Sequence, residues 1–123
     1  MSLTVRFPQN LSEHDPTGRA ANEPGAKLDA GKPRCALVLG GFSRALEQVA
    51  LVGTFGAAKY TDHGWRSVPN GQERYTDALW RHLLAEAQGL ELDPDSSLLH
   101  AAHTAWNALA RLELILQEQE GQP

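Results

Sequence analysis

With 123 residues and a formal net charge of −4, the chain is long enough for one compact domain with its own core and too short for two. The acidic balance argues against sequence-independent binding of duplex nucleic acid, which needs a basic surface to release counterions. Hydrophobic residues make up 41%, yet no apolar run nears the roughly 20 residues of a membrane span, and the N-terminus lacks the apolar stretch of a secretory signal.

A soluble, cytoplasmic protein with no membrane partner is therefore expected. The lone cysteine, Cys35, cannot close an internal disulfide and reads as a buried or inert thiol in a reducing compartment.

Residues 1–34 hold Pro8, Pro16, Pro24 and Pro33 with Gly18, Gly25 and Gly31 and show neither helical nor strand period, so they read as an extended arm or loop. We take 1–24 as the arm and 25–123 as a single domain. From Gly41 onward Phe42, Leu46, Val49, Gly53 and Tyr60 recur at helical spacing, which predicts a first helix of roughly 15 to 20 residues. "KYTDHGWRSVPNGQ" is rich in turn formers and reads as a loop.

A second helix is predicted over 72–88, with Tyr75, Leu79, His82, Leu83 and Glu86 on one face and Gly89 as its stop. On its outer face Asp77 and Arg81 stand at ion-pair spacing. The polar linker "LELDPDSS" leads to a third helix, capped by Asp95 or Ser96 and running to about Gln119. Its Leu98, Ala102, Ala105, Leu109, Leu112 and Leu116 form an apolar seam suited to packing, and His100, His103 and Asn107 point the other way. No stretch alternates like a strand. Three main helices imply an all-α helical bundle with an extended N-terminal arm, completed by oligomerisation into a homodimer.

Two histidines three residues apart beside a carboxylate-rich linker could hold a cation, or could be a solvated or core stripe. Glu86 occupies the inward register of its helix, where a carboxylate is costly unless paired or bound to metal. His82 stands one turn before it, so the two could contact metal or water, or hydrogen-bond to each other. Glu91, Asp93 and Asp95 add hard oxygen donors that suit Mg²⁺ or Mn²⁺ with substrate phosphates, and each could equally be a helix cap.

"GAKLDAGKPRC" crowds Lys27, Lys32 and Arg34 around glycines in an otherwise acidic chain. Such a loop could hold phosphates or be an ordinary surface turn. It is not a Walker A loop, since five residues separate its glycines and Pro33 follows the lysine. In "KYTDHGW", Lys59, Tyr60, Asp62, His63 and Trp65 offer a cation, hydrogen bonds and aromatic faces for a base, or anchor the loop to the core. His14-Asp15 lies in the arm, outside any helix, and is set aside.

Taken in order, "KLDAGKPR", "GTFGAAKYTDHGW", "RYTDALWRHLLAE" and "DPDSSLLHAAHTAWNALARLEL" resemble the phage and prophage dATP/dGTP diphosphohydrolases of MazZ type, relatives of the all-α MazG nucleotide pyrophosphohydrolases. The resemblance covers about residues 25–116. It implies an all-α fold, a homodimer or homotetramer, Mg²⁺ or Mn²⁺, a purine deoxynucleoside triphosphate substrate and release of pyrophosphate, in the host cytoplasm if the gene is phage-borne.

Under that resemblance Glu86, His82 and His103 are the catalytic candidates. Glu86, Asp93, Asp95, His100 and His103 are the metal candidates. Lys27, Asp29, Lys32, Arg34, Lys59, Tyr60, His63, Trp65 and Asn107 are the substrate contacts. The acidic quartet with which MazG-like enzymes hold metal is incomplete here, and Leu90 follows Gly89 where the family often has glutamate, with Glu91 one place later. The alternatives are a non-catalytic nucleotide-binding or adaptor module and a broad housecleaning pyrophosphohydrolase.

Overall fold

The computed structural model describes residues 13–121; the start of the expected arm, with Pro8, lies outside them. Helix α1 covers Cys35–Gly40, α2 Ser43–Lys59, α3 Gly71–Ala87 and α4 His100–Glu120, with a 3-10 turn at Gly64–Ser67. There is no strand among the described residues, only one isolated bridge between Leu92 and Leu99, and the fold is all-α as expected. The short helix α1 was not anticipated. Cys35 opens it and is exposed, so of the buried or inert thiol expected the burial does not hold, because every residue of this helix faces solvent. No helix among the described residues is long and apolar enough to cross a membrane.

The chain divides into two compact units, one ending at Gly41 and the other beginning at Phe42. The N-terminal unit is organised by Asp15, which is buried. One of its carboxylate oxygens accepts from the Thr17 amide and hydroxyl, both at 2.6 Å, and the other from the Lys27 amide at 2.9 Å. These bonds hold the carboxyl below its usual range. The residue set aside in the sequence is thus the one that closes this loop, and Ala30 donating to the His14 carbonyl at 3.1 Å completes it.

In the second unit α3 and α4 run antiparallel. Gln72 donates to Glu118 at 2.6 Å at one end, and His82 meets His100 at the other. Asn70, at φ 55°, turns the chain into α3, a conformation that asparagine tolerates better than most side chains. Gly89 ends the helix as predicted. Its φ of +87° lets its own amide reach the Glu86 carbonyl at 2.9 Å and the Leu90 amide reach Ala85 at 3.1 Å, the paired bonds of a Schellman stop. Helix α2 lies on α4 where Gly53 faces Trp106, and a Cβ at Gly53 would stand 3.1 Å from the indole nitrogen. Trp106 also receives Trp65 and Tyr75 edge-on, at 5.9 and 5.6 Å between ring centres. Such pairs contribute about 0.5–1.5 kcal/mol each beyond their buried area.

Two expectations are corrected here. Helix α4 starts at His100, not at Asp95 or Ser96, because Asp93 spends its carboxylate on a tight turn instead of a helix cap. Its Oδ1 accepts from the Asp95 and Ser96 amides at 3.0 and 2.9 Å. The Asp93 amide reaches the Leu98 carbonyl, and the His100 amide reaches Glu91, both at 2.8 Å. The linker is a small hairpin, with Ser97 at φ 61° at its tip.

The expected division of α4 into an inward seam and an outward polar stripe also fails in part: Ala102 of the seam is buried and Leu98 and Leu116 are half-buried, but the polar stripe is buried too. His100, His103 and Asn107 are buried together with Ala102 and Ala110, whereas Leu109 and Leu112 of the expected seam are about half exposed in the single chain. Ala105 of that seam is exposed as well. The sequence 100, 103, 107, 110, 114 is as regular a helical stripe as the leucine seam. It packs inward with His103 bonded to Ser96, Asn107 to the His103 carbonyl and His100 Nδ1 beside His82.

Candidate functional site

Three segments bring the polar cluster together. Helix α3 carries His82 in its penultimate turn, the hairpin carries Asp93 and Ser96, and the first turn of α4 carries His100 and His103. The Nδ1 atoms of His82 and His100 lie 2.8 Å apart, so at least one of them is unprotonated there. The His82 ring stacks on His103 with centres 4.5 Å apart and planes 13° apart. His103 Nε2 lies 2.6 Å from the Ser96 hydroxyl, whose oxygen also accepts from the Leu98 amide at 3.1 Å. Asn107 donates to the His103 carbonyl one turn back at 2.8 Å.

Burial, and then the neighbouring His103 and His100, push His82 down to about 4. Burial lowers His103 as well, against the opposing pull of Asp93. Both rings are therefore neutral at pH 7. Burial by itself would raise Asp93, but the amides of Ser96 and Asp95, with His103 nearby, outweigh it and keep the carboxyl below its ordinary value. The cluster thus combines neutral imidazole lone pairs with one fixed negative charge.

His82, Asp93 and His100 each present a ligand atom, all within 4.8 Å of one another. His100 is 5% exposed, and its Nε2 is buried with no hydrogen-bond partner in the chain. An orphaned buried polar atom costs about 1–3 kcal/mol, whichever tautomer the ring adopts. Two imidazoles, a carboxylate and an unmet nitrogen fit a divalent cation.

The expected site residues are only partly gathered. His82, Asp93, His100 and His103 converge, with Asn107 bonded to the His103 backbone. Glu86 does not point inward; it is exposed. Its angular register is the expected one, but α4 begins opposite His82, so the following turn of α3 has run past the helix that would cover it. Asp95 is drawn away to Lys59, 2.7 Å from its carboxylate. That pair raises the Lys59 pKa and ties the end of α2 to the hairpin. Glu91 is exposed and contributes its backbone carbonyl to the hairpin.

Trp65 is half-buried against Trp106, and its carbonyl accepts from the Tyr75 hydroxyl at 2.7 Å; it anchors the loop to the core. Tyr60 is 74% exposed beneath the Lys59 ammonium, and His63 is exposed at φ 62°. Lys27, Asp29, Lys32 and Arg34 belong to the N-terminal unit and are exposed, with Lys32 3.5 Å from Glu13. Asp77 and Arg81 are both exposed and form no ion pair; those among the described residues are Lys32 with Glu13 and Lys59 with Asp95.

Ser96 was weighed in the sequence only as a cap. The signal that could have singled it out is its seven-residue separation from His103, two helical turns, which a hairpin entering a helix can fold into contact.

No curated protein and no solved structure matches the chain. The family model described as dATP/dGTP diphosphohydrolase, N-terminal, matches residues 22–123, a span that includes every member of the histidine cluster. The chain belongs to the dATP/dGTP diphosphohydrolase N-terminal family.

Proposed function

We propose that the protein hydrolyses dATP or dGTP to the deoxynucleoside monophosphate and pyrophosphate, using a divalent cation at His82, Asp93 and His100. The observation that carries this reading is the convergence of those three ligand atoms within 4.8 Å, inside the region that the diphosphohydrolase family model matches. A cation there would supply charge neutralisation at the triphosphate and make a nearby water easier to deprotonate.

The chain's own groups do the rest. Water adds to the α-phosphorus and gives up its proton to solvent, the bond to the oxygen bridging the α- and β-phosphorus breaks, and that oxygen leaves with pyrophosphate. Neutral His82 gives a lone pair without adding positive charge, His100 offers a second imidazole nitrogen, and Asp93 supplies the counter-charge. His103, stacked on His82 and held at Ser96, fixes the plane of the His82 ring. Lys59, at the outer edge of the hairpin, can exchange its exposed Asp95 partner for a phosphate oxygen. Positioning and electrostatics account for most of the acceleration in phosphoryl transfer.

The test is incubation with each deoxynucleoside triphosphate and Mg²⁺ or Mn²⁺, separating pyrophosphate from inorganic phosphate. Pyrophosphate from purine substrates supports the reading. Equal turnover of pyrimidine and modified nucleotides would favour broad housecleaning, and nucleotide binding without any product would favour the non-catalytic module.

The working form in this proposal is an assembly of identical chains. Val52, Ala102 and Ala110 are the buried apolar side chains of the second unit, while Trp80, Leu84, Leu109 and Leu112 stand 48–58% exposed on α3 and α4. That burial is thin for a domain folding alone. Light scattering should report a dimer or tetramer, and a monomer at micromolar concentration would refute the assembly.

A further inference from the structure

The ligand atoms gathered at the end of α3, two imidazole nitrogens and a carboxylate oxygen, differ from the oxygen set that Mg²⁺ usually takes. Mg²⁺ takes oxygen ligands, keeps several waters and is usually bound through one or two carboxylates together with substrate phosphates. Here two of the three converging side chains are imidazoles, donors that suit Zn²⁺, Fe²⁺, Ni²⁺ or Cu²⁺ rather than Mg²⁺. We propose that His82, Asp93 and His100 bind one first-row transition-metal ion in preference to Mg²⁺, before any nucleotide arrives. The inference shares its site with the hydrolysis proposed above and goes beyond it, since it concerns which ion is held and when.

Three features of the geometry support a preformed site. The ligands come from three separate segments: His82 from the body of α3, stacked on His103, His100 from the first residue of α4 with its Nδ1 2.8 Å from that of His82, and Asp93 from the hairpin. Asp93 is held by the Asp95 and Ser96 amides at Oδ1 and keeps a carboxylate oxygen within 4.8 Å of the two imidazole ligand atoms. The buried, partnerless Nε2 of His100 indicates that the protein's own hydrogen bonds do not complete the cluster. His103 lies outside the group of converging ligand atoms; with Nε2 at the Ser96 hydroxyl and its ring stacked on His82, it is a positioning residue that holds the His82 ring. Three protein ligands leave the remaining coordination positions of the ion open to water and phosphate oxygens.

The test is calorimetric titration of the full chain, stripped of ions with chelator, with MnCl₂, CoCl₂, ZnCl₂ and MgCl₂ in the absence of nucleotide. Electron paramagnetic resonance of Mn²⁺ provides a second readout. The expected result is one equivalent of Zn²⁺ or Co²⁺ per chain, held more tightly than Mn²⁺, that millimolar Mg²⁺ fails to displace. Outer-sphere partners of a metal ligand alone are worth about 10–100-fold in affinity, so loss of a ligand in His82→Gln or Asp93→Asn should weaken binding by at least about 100-fold. Circular dichroism checks that each variant is folded. Should His82→Gln not fold, Asp93→Asn decides, because its amide oxygen can still accept the hairpin amides. Cys35→Ser removes the exposed thiol as a rival ligand and should bind like the wild type.

Displacement by Mg²⁺ at comparable concentration, no binding of any of the four ions, or undiminished binding in Asp93→Asn would each overturn the proposal. Because no nucleotide is present, a correct metal site in a protein that releases no pyrophosphate, or pyrophosphate release without this ion preference, would be told apart at once.

Discussion

Asp93 has two separable duties, and two substitutions divide them. Its Oδ1 holds the hairpin by accepting two amides at 3.0 and 2.9 Å, and its charge faces the imidazoles. Asp93→Ala removes both duties. Hydrogen bonds to a charged acceptor are worth about 1.5–3 kcal/mol each, but the hairpin is half-exposed, so water recovers much of that for the freed amides. A net loss of about 2 kcal/mol is expected. Asp93→Asn keeps an oxygen for the amides and should cost less than about 1 kcal/mol, yet remove the anionic ligand and lower pyrophosphate release by at least about 100-fold. Urea unfolding followed by circular dichroism measures the first quantity, and phosphate-resolved turnover the second. Equal destabilisation by Asn and Ala would refute the turn argument, and an active Asp93→Asn enzyme would refute the catalytic one.

Acid should destabilise the ion-free protein between pH 6.5 and 4. His82 is depressed from 6.5 to about 4 on folding, so in that window the unfolded chain takes up a proton that the folded chain refuses, and stability falls as pH falls. The ceiling is about 1.4 kcal/mol per pH unit, and solvent screening of this half-buried ring brings it to about half; a urea midpoint constant from pH 7 to 5 would contradict it. Glu86→Gln should leave stability within about 0.5 kcal/mol and keep turnover near wild type, since Glu86 is exposed; abolished pyrophosphate release would return that carboxylate to the site. Gly53→Val should cost about 1–3 kcal/mol and shift tryptophan fluorescence, because its side chain enters the contact with Trp106; unchanged stability would mean that α2 and α4 are not packed there.

Helices α2 and α3 were legible because their ends are written locally. Gly89 can adopt the left-handed conformation that closes a helix, and the Asn70-Gly71 pair opens one. The start of α4 was not. Asp93, Asp95 and Ser96 are all good capping residues, and local preference cannot rank a helix cap against a turn whose other half, Leu98 to His100, is recruited only when the hairpin closes. The two faces of α4 were misjudged for a related reason. Both stripes have helical period, and hydrophobicity favours burying the leucines, yet the chain buries His100, His103 and Asn107. A departure from local preference of this kind, with its polar groups bonded or poised, is where functional sites are expected.

Spacing within α4 correctly pairs His100 with His103 but cannot divide their work. Residues three apart on a helix diverge by about 60°, enough for one ring to turn toward the Nδ1 of His82 on α3 and the other toward Ser96 in the hairpin. That division decides the chemistry. The ring bonded to Ser96 becomes the floor on which His82 stacks, and the ring left with an unmet nitrogen joins His82 and Asp93. A helical register could nominate Glu86, since it shares a face with His82, but only the length of the opposing helix determines that α4 ends its cover one turn too early to bury it. The cluster of His82, Asp93 and His100 is therefore a property of where α3 stops, where the hairpin turns and where α4 begins, three boundaries that meet at His82.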